Sequence, residues 1–463
     1  MNALFMKKNA LVAIAATATA ALALGVSVSA YADNSSNVTR AALPTGKINH
    51  IMVIDLENTS FANAFGPDSK ATWLNGTLVP KGQLIENYFG TSHVSQGNYI
   101  AQISGQSSTA AINNDCLDLA SLKTPPLVGG FTDISPATPT ADGQVIGDGC
   151  VFPNSVKTIG DQLDAVAKKR HLTNPWRMYA EDMGNDPTRD YGTVDPMGGT
   201  TCAHPAIGGV DNSNSASATD QYATRHNGFM YFHSIIDNQK NCDARVVPLG
   251  VVATGKYGYK DMFQGHLYED LKSVKTTPAF SFVSPNLCND AHDAKCVGPD
   301  AEGMANNTNM VAADAWLKHW IPMIMASPAY TSGQMMVVVT FDESALSDSS
   351  ALPGQPSGPN QNGNPGYSPI LGMFKYQTAP TAAGTYPGGG RMGALILNSK
   401  YVKAGVRNTT GQYNHYSALR SYEDLLGLTT GATDGFGHLG YAGQTGLVPF
   451  GKDVFNNYTS SHK

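Results

Sequence analysis

The chain has 463 residues, a formal charge of −6, only 14% charged residues and 48 glycines. So mild an acidic balance argues against nucleic acid or anionic lipid as an electrostatic partner. The length excludes a small module and suits one large α/β domain or two ordinary ones.

In chain order, Lys7 and Lys8 precede an alanine-rich apolar run that ends in small residues at Ala30 and Ala32, the pattern of a secretory signal peptide. We expect residues 1–32 to be a leader and 33–463 to form a single domain, secreted to the extracellular space or the periplasm. The competing reading, a retained anchor, asks a run of mostly alanine to span a bilayer. No later stretch is long and apolar enough to cross one, so no stable membrane insertion is expected. All six cysteines, Cys116, Cys150, Cys202, Cys242, Cys288 and Cys296, follow the leader. An even count in an exported chain suggests three disulfides, most simply paired in sequence order.

Four short apolar runs read as buried strands: "INHIMVIDL", "TPAFSFVSPN", "MMVVVTFDES" and "MGALILNS". Helical patterns lie between them in "GNYIAQIS", "VKTIGDQLDAVAKK", "NMVAADAWLKHWIPMIM" and "HYSALRSYEDLLGL". Alternation of this kind predicts an α/β fold, a mostly parallel central sheet flanked by helices on both faces. Long loop excursions are expected near 205–220 and 347–369, both rich in Ser, Asn, Gly and Pro. The second could be a flap over a site or a plain surface excursion.

Acids follow two of these strands at once: Glu57 with Asn58, and Asp342 with Glu343. In open α/β sheets the ligand crevice lies beyond the carboxyl ends of the strands, so the two pairs can meet there. In "SHVSQGNY", Ser95 stands just before a predicted helix, with His93 and Asn98 beside it. Taken alone, Ser95 reads first as an ordinary N-cap. Beside a metal ion it becomes a nucleophile suited to phosphorus, since serine needs a base or a cation to lower its pKa and a helix N-terminus favours phosphate. Acyl transfer would want a G-x-S-x-G elbow, and "HVSQG" lacks its first glycine. "NDAHD" sets Asp290, His292 and Asp293 close together, as metal-capable groups or as a polar surface loop. His415 precedes an amphipathic helix that it could merely cap. His226 is read as pocket-facing and His233 as packed; His438 and the remaining histidines are assigned no part.

Together, and in this order, "HIMVIDLENTSFANAFG", "SHVSQGNYIAQISG", "YATRHNGFMYF", "NDAHD", "VVVTFDES" and "NHYSALRSYEDLLGL" resemble the phosphoesterase family of secreted bacterial acid phosphatases and phospholipases C, a branch of the alkaline phosphatase superfamily. The resemblance runs over about 47–428, nearly all of the chain after its leader. It implies an alkaline-phosphatase-like fold, a divalent metal ion (calcium, zinc, manganese or iron) held by Glu57, Asn58, Asp342 and Glu343, and Ser95 as a nucleophile that forms a phosphoserine. It further implies that His93, Asn98, His226, Asp290, His292 and His415 surround the phosphate. Asp290, His292 and His415 match positions that bind a second metal in two-metal relatives. His292 or His415 would carry the proton for the leaving group.

Two departures stand out. The prolines flanking the nucleophile are replaced by Val94 and Gly97, which would loosen the turn, and the usual acidic residue and glycine after Asp342 and Glu343 are missing from "SALSD". The expectation is a secreted acid phosphatase acting as a monomer on a small phosphoester, with a phospholipid headgroup as the variant substrate. The alternatives are a phospholipase C or other phosphodiesterase, a binding protein that kept the fold, and a serine esterase.

Overall fold

The computed structural model describes residues 43–92, 95–109, 111–112, 115–116, 130–210, 217, 219–252, 264–293, 309–345, 389–430 and 434–459. The expected leader, His93, Val94 and the 347–369 excursion lie outside the described residues, as does most of 211–220.

At the centre is an eight-stranded sheet. Its strands are β1 (His50–Leu56), β2 (Gln83–Phe89), β3 (Trp176–Ala180), β4 (Val246–Pro248), β5 (Phe280–Ser284), β6 (Met335–Phe341), β7 (Ala394–Leu397) and β8 (Val406–Asn414). They lie side by side in the order β8-β2-β7-β6-β1-β5-β3-β4. β7, from "MGALILNS", pairs antiparallel with both neighbours, and every other pairing is parallel. The expected α/β class with a mostly parallel sheet is the observed one. Four of the strands, β2, β3, β4 and β8, were not anticipated from the apolar pattern.

β1 occupies the middle of the sheet, with Leu56 opposite Phe341 of β6 and Ile54 opposite Val283 of β5. All seven of its residues are buried. A strand covered on both faces has no solvent side, so it reads as a continuous apolar run rather than an alternation. Its one acid is Asp55, which accepts a 2.6 Å hydrogen bond from Gln102 and is pushed up to about 8 by burial.

The longer helices are α1 (Ser95–Ser104), α2 (Ile159–Arg170), α3 (Asn309–Ala326) and α4 (His415–Leu426). α2 opens with a reciprocal cap between Thr158 and Asp161, and α4 with one between Asn414 and Ser417. α4 closes on Gly427 at φ 61°, the left-handed conformation that glycine adopts without penalty. The capping duty considered for His415 therefore falls to Asn414, and Ser95 is the first helical residue of α1 rather than the residue before it.

The sheet's carboxyl edge collects the chain. β1 delivers Glu57 and Asn58 there, β6 delivers Asp342 and Glu343, β5 leads to the 286–293 turn, β2 leads towards α1, and β8 runs straight into His415. Disulfides join Cys116 to Cys150 and Cys202 to Cys242, as sequence-order pairing predicts. Cys288 is also disulfide-bonded, while Cys296 lies outside the described residues. Among the described residues, no helix is long and apolar enough to cross a membrane.

Candidate active site

Ser95 Oγ donates to Glu57 Oε2 at 2.7 Å and lies 3.1 Å from Asn58 Oδ1. The link between β1 and α1 is thus made by the serine hydroxyl itself. Glu57 is fully buried, and its second oxygen accepts from the Tyr99 hydroxyl, one turn along α1, at 2.8 Å. The Tyr99 ring stacks on His226 with centroids 5.1 Å apart, and His226 Nε2 lies 3.2 Å from Glu57 Oε1 and 3.3 Å from Asp293 Oδ2. His226 is therefore buried against Glu57, Asp293 and Tyr99. His233, expected to be packed, instead bridges Asp133 and Asp237 at a partly exposed position.

Asn58 binds the second acidic pair. Its backbone N–H donates to Asp342 Oδ1 at 2.9 Å, and its side-chain amide donates to Glu343 Oε1 at 3.1 Å. The two pairs, 284 residues apart in the case of Asn58 and Asp342, do meet. The 286–293 turn joins them: Glu57 N–H donates to the Asp290 carbonyl at 2.6 Å. Asp290 Oδ1 in turn accepts from the backbone N–H groups of His292 and Asp293. Between them Ala291 sits at φ 90°, a conformation that costs energy for a residue with a Cβ and persists only where surrounding contacts enforce it.

His415 is fully buried. It lies 3.1 Å from the Tyr88 hydroxyl through Nδ1 and 2.6 Å from the Asp342 backbone carbonyl through Nε2. Burial pushes it down to about 4, so it is neutral at ordinary pH. Its Nε2 thus ties the Asp342 backbone to β2 through Tyr88 on the other ring nitrogen. His292 is different: its side chain is 46% exposed, and Nδ1 lies 3.6 Å from Asp293 Oδ1.

Asn98 turns its amide onto the loop before Ser95. Its oxygen accepts from the backbone N–H groups of Thr91 and Ser92, and its nitrogen donates to the Ser92 carbonyl. A Cβ at position 97 would fall on the Ser108 hydroxyl, so glycine is what allows that close approach.

Residues that sequence reasoning passed over complete the site. Arg225, buried beside His226, pairs with Asp293 at 2.6 Å and lies 3.9 Å from Asp115. Asp115 accepts from the backbone N–H of Gln96 at 3.0 Å. Asp293 was noted only as part of its cluster, and Tyr99 only as part of a motif. For Tyr99 a signal existed: it lies four positions after Ser95, on the same face of a helix.

The charge balance is uneven. Glu57, Asp290, Asp342 and Glu343 are all pushed well above the carboxylate range, by burial first and then, in each case, by neighbouring acids. Asp293 escapes this: although burial opposes its charge, the Arg225 guanidinium holds it well below that range. His226 is pushed down by burial and by Arg225. Asp290 Oδ2 and Asp342 Oδ2 are buried with no hydrogen-bond partner. Buried acceptors without donors, in a cluster of carboxylates, fit a cation. Among the described residues, two groups bring ligand atoms within 4.8 Å of one another: Glu57 with His292 and Asp293, and His226 with Asp290 and Asp293. Asp293 enters both, which the expected set of Glu57, Asn58, Asp342 and Glu343 did not include.

The profile of the Phosphoesterase family matches residues 68–429, and the chain belongs to that family. Glu57 and Asn58 precede the matched span, so their place in the site rests on the geometry above. The phosphate-repressible acid phosphatase of Penicillium chrysogenum is 25% identical over 288 residues, which is 62% of this chain and 46% of that protein. An acid phosphatase of Aspergillus fumigatus is 21% identical over 295 residues, 64% of this chain and 44% of that protein. The chain thus spans somewhat less than half the length of either relative. Among solved structures, a protein in the alkaline phosphatase superfamily from Vibrio parahaemolyticus is 12% identical with a TM-score of 0.41, covering 85% of this chain and 70% of that one.

Proposed function

We propose that this member of the Phosphoesterase family is a secreted, metal-dependent acid phosphatase that hydrolyses phosphate monoesters through a phosphoserine on Ser95. The observation that carries the reading is Ser95 Oγ donating to the buried Glu57 carboxylate at 2.7 Å, inside a cluster of acids in which Asp290 Oδ2 and Asp342 Oδ2 have no hydrogen-bond partner. A divalent cation held by Glu57, Asn58, Asp342 and Glu343, with Asp293 and His292 at hand, would lower the serine pKa and neutralise charge on the phosphoryl oxygens. The ligand set is mostly carboxylate with an imidazole, chemistry that admits calcium, manganese, zinc or iron.

This chain's own groups do the remaining work. The Tyr99 hydroxyl fixes Glu57, which aims Ser95 Oγ and accepts its hydrogen bond. Asn98 holds the loop that precedes the nucleophile. Ser95 Oγ gives its proton to Glu57 Oε2 and forms a bond to phosphorus as the ester P–O bond breaks, and the leaving oxygen takes a proton. His292 is the donor we assign, since it is half-exposed while His415 is neutral and engaged by Tyr88 and the Asp342 carbonyl. Water then cleaves the phosphoserine, releasing phosphate and restoring Ser95.

The test is hydrolysis of an aryl phosphate monoester and the matching diester between about pH 4 and pH 9. It is run as purified, after chelation and after metal return. We expect the monoester to be preferred, activity to vanish on chelation, and Ser95→Ala to lose at least about a thousandfold in kcat. Preference for the diester would make the protein a phospholipase C or another phosphodiesterase. Full activity in Ser95→Ala would end the phosphoserine assignment.

A further inference from the structure

We propose that Asp115 is a specificity-determining residue that keeps the affinity for free phosphate low, so that product leaves. The proposal rests on the phosphatase reading above and goes beyond it.

The N-terminus of α1 is where this chain should hold a phosphoryl group. Its first N–H groups are unpaired within the helix, and the helix dipole favours an anion there. Asp115 already sits in that place. Its Oδ1 accepts the backbone N–H of Gln96, the amide that directly follows Ser95, at 3.0 Å. The nearest guanidinium does not compensate. Arg225 is 2.6 Å from Asp293 and 3.9 Å from Asp115, so its charge is shared between two acids. Asp290 Oδ2 and Asp342 Oδ2, buried without a hydrogen-bond partner, add two further acceptors to the centre.

An arriving ester makes up for this through the leaving group and the bond being formed. Inorganic phosphate, with neither, meets Asp115 at the amide it would otherwise use. Position 115 adjoins Cys116, and the disulfide to Cys150 ties that corner down, so the carboxylate cannot easily swing away.

Asp115→Asn tests this cleanly. Asparagine keeps an oxygen for the Gln96 N–H and removes only the charge, so the helix stays capped. The protein is loaded with manganese, and inorganic phosphate is titrated in by calorimetry and as an inhibitor of aryl phosphate hydrolysis. We expect Asp115→Asn to bind phosphate about tenfold tighter than the natural protein, with Asp115→Glu close to natural. The thermal midpoints should agree, whereas a merely structural role would lower the midpoint and weaken phosphate binding. Unchanged or weaker binding in Asp115→Asn, or no binding to either protein, overturns the proposal. If phosphate binding tightens as expected while no phosphoester is cleaved, the phosphatase reading fails and the assignment of Asp115 as an anion screen stands.

Discussion

The acidic centre at the head of β1 and the cluster at the tail of α4 are both made from buried acids and histidine, and they are balanced in opposite ways. At the tail of α4, His438 lies between Asp434 at 2.7 Å and Asp424 at 3.1 Å. Burial opposes its charge, but those two hydrogen bonds push His438 up to about 9, and Asp434, against its own burial, is held down to about 2. There Asp424 and Asp434 share one imidazolium, and Glu423 beside them is pushed up to about 8 by burial, so that it stays neutral. At the head of β1, Glu57, Asp290, Asp293, Asp342 and Glu343 face one Arg225, and four of the five are pushed up, by burial first. The difference separates a polar network that holds the fold from one that waits for a ligand. Buried ions paired in place lock a conformation, whereas unpaired ones are tolerated only where something else completes them.

The sharpest way to break this comparison is to remove one acid from each cluster. Asp342→Asn should lose at least about a thousandfold in kcat and lose metal retention, while the metal-free protein keeps or gains thermal stability because a repulsive charge is gone. Asp424→Asn should do the reverse, with a thermal midpoint lower by several degrees and kcat within about threefold. Equal loss of stability in the two variants would show that the clusters are alike after all.

A second prediction uses pH on the chelated protein. The raised carboxyls favour the fold when protonated, so their contribution is present below the unfolded carboxyl range and is lost as pH rises above about 4. His438 is raised too, but from the histidine range. Its contribution is whole below about 6.5 and is lost as pH climbs through about 9. The metal-free thermal midpoint should therefore fall between about pH 5 and 6.5 in the natural protein and fall less in Asp342→Asn. His438→Gln should flatten only the later fall. Circular dichroism melts at closely spaced pH values separate the two windows.

The smallest effect expected is that of Tyr99→Phe. It keeps the stack on His226 and loses the hydrogen bond to Glu57, so kcat should drop about five- to tenfold with KM little changed. A rise in KM with kcat unchanged would instead mean that the hydroxyl touches substrate.

How much of this the sequence revealed follows from where each residue's partner lies. β1, β5 and β6 were legible because strands buried on both faces are written as uninterrupted apolar runs. β8 was not, since Val406–Asn414 is only partly buried and carries polar residues along much of its length. β4 is three residues long and offers too little pattern to read. Glu57, Asn58, Asp342 and Glu343 were legible because an apolar run ending abruptly in acids is a local signal. Arg225 and Asp115 gave none. Their function is defined by each other, by Asp293 and by the Gln96 amide, across gaps in sequence that no spacing rule spans. His415 was read as a group at the phosphate. Its engagement with Tyr88 and the Asp342 carbonyl depends on β2 and β6 ending at one level, which only the folded sheet decides.

The close approach at Gly97 sets a tolerance for the whole corner. A Cβ there would fall on the Ser108 hydroxyl and crowd Ser92, so any side chain at position 97 forces the 105–109 segment away from α1. The spacing between the helix that carries Ser95 and the segment beside it is thus fixed by one missing carbon.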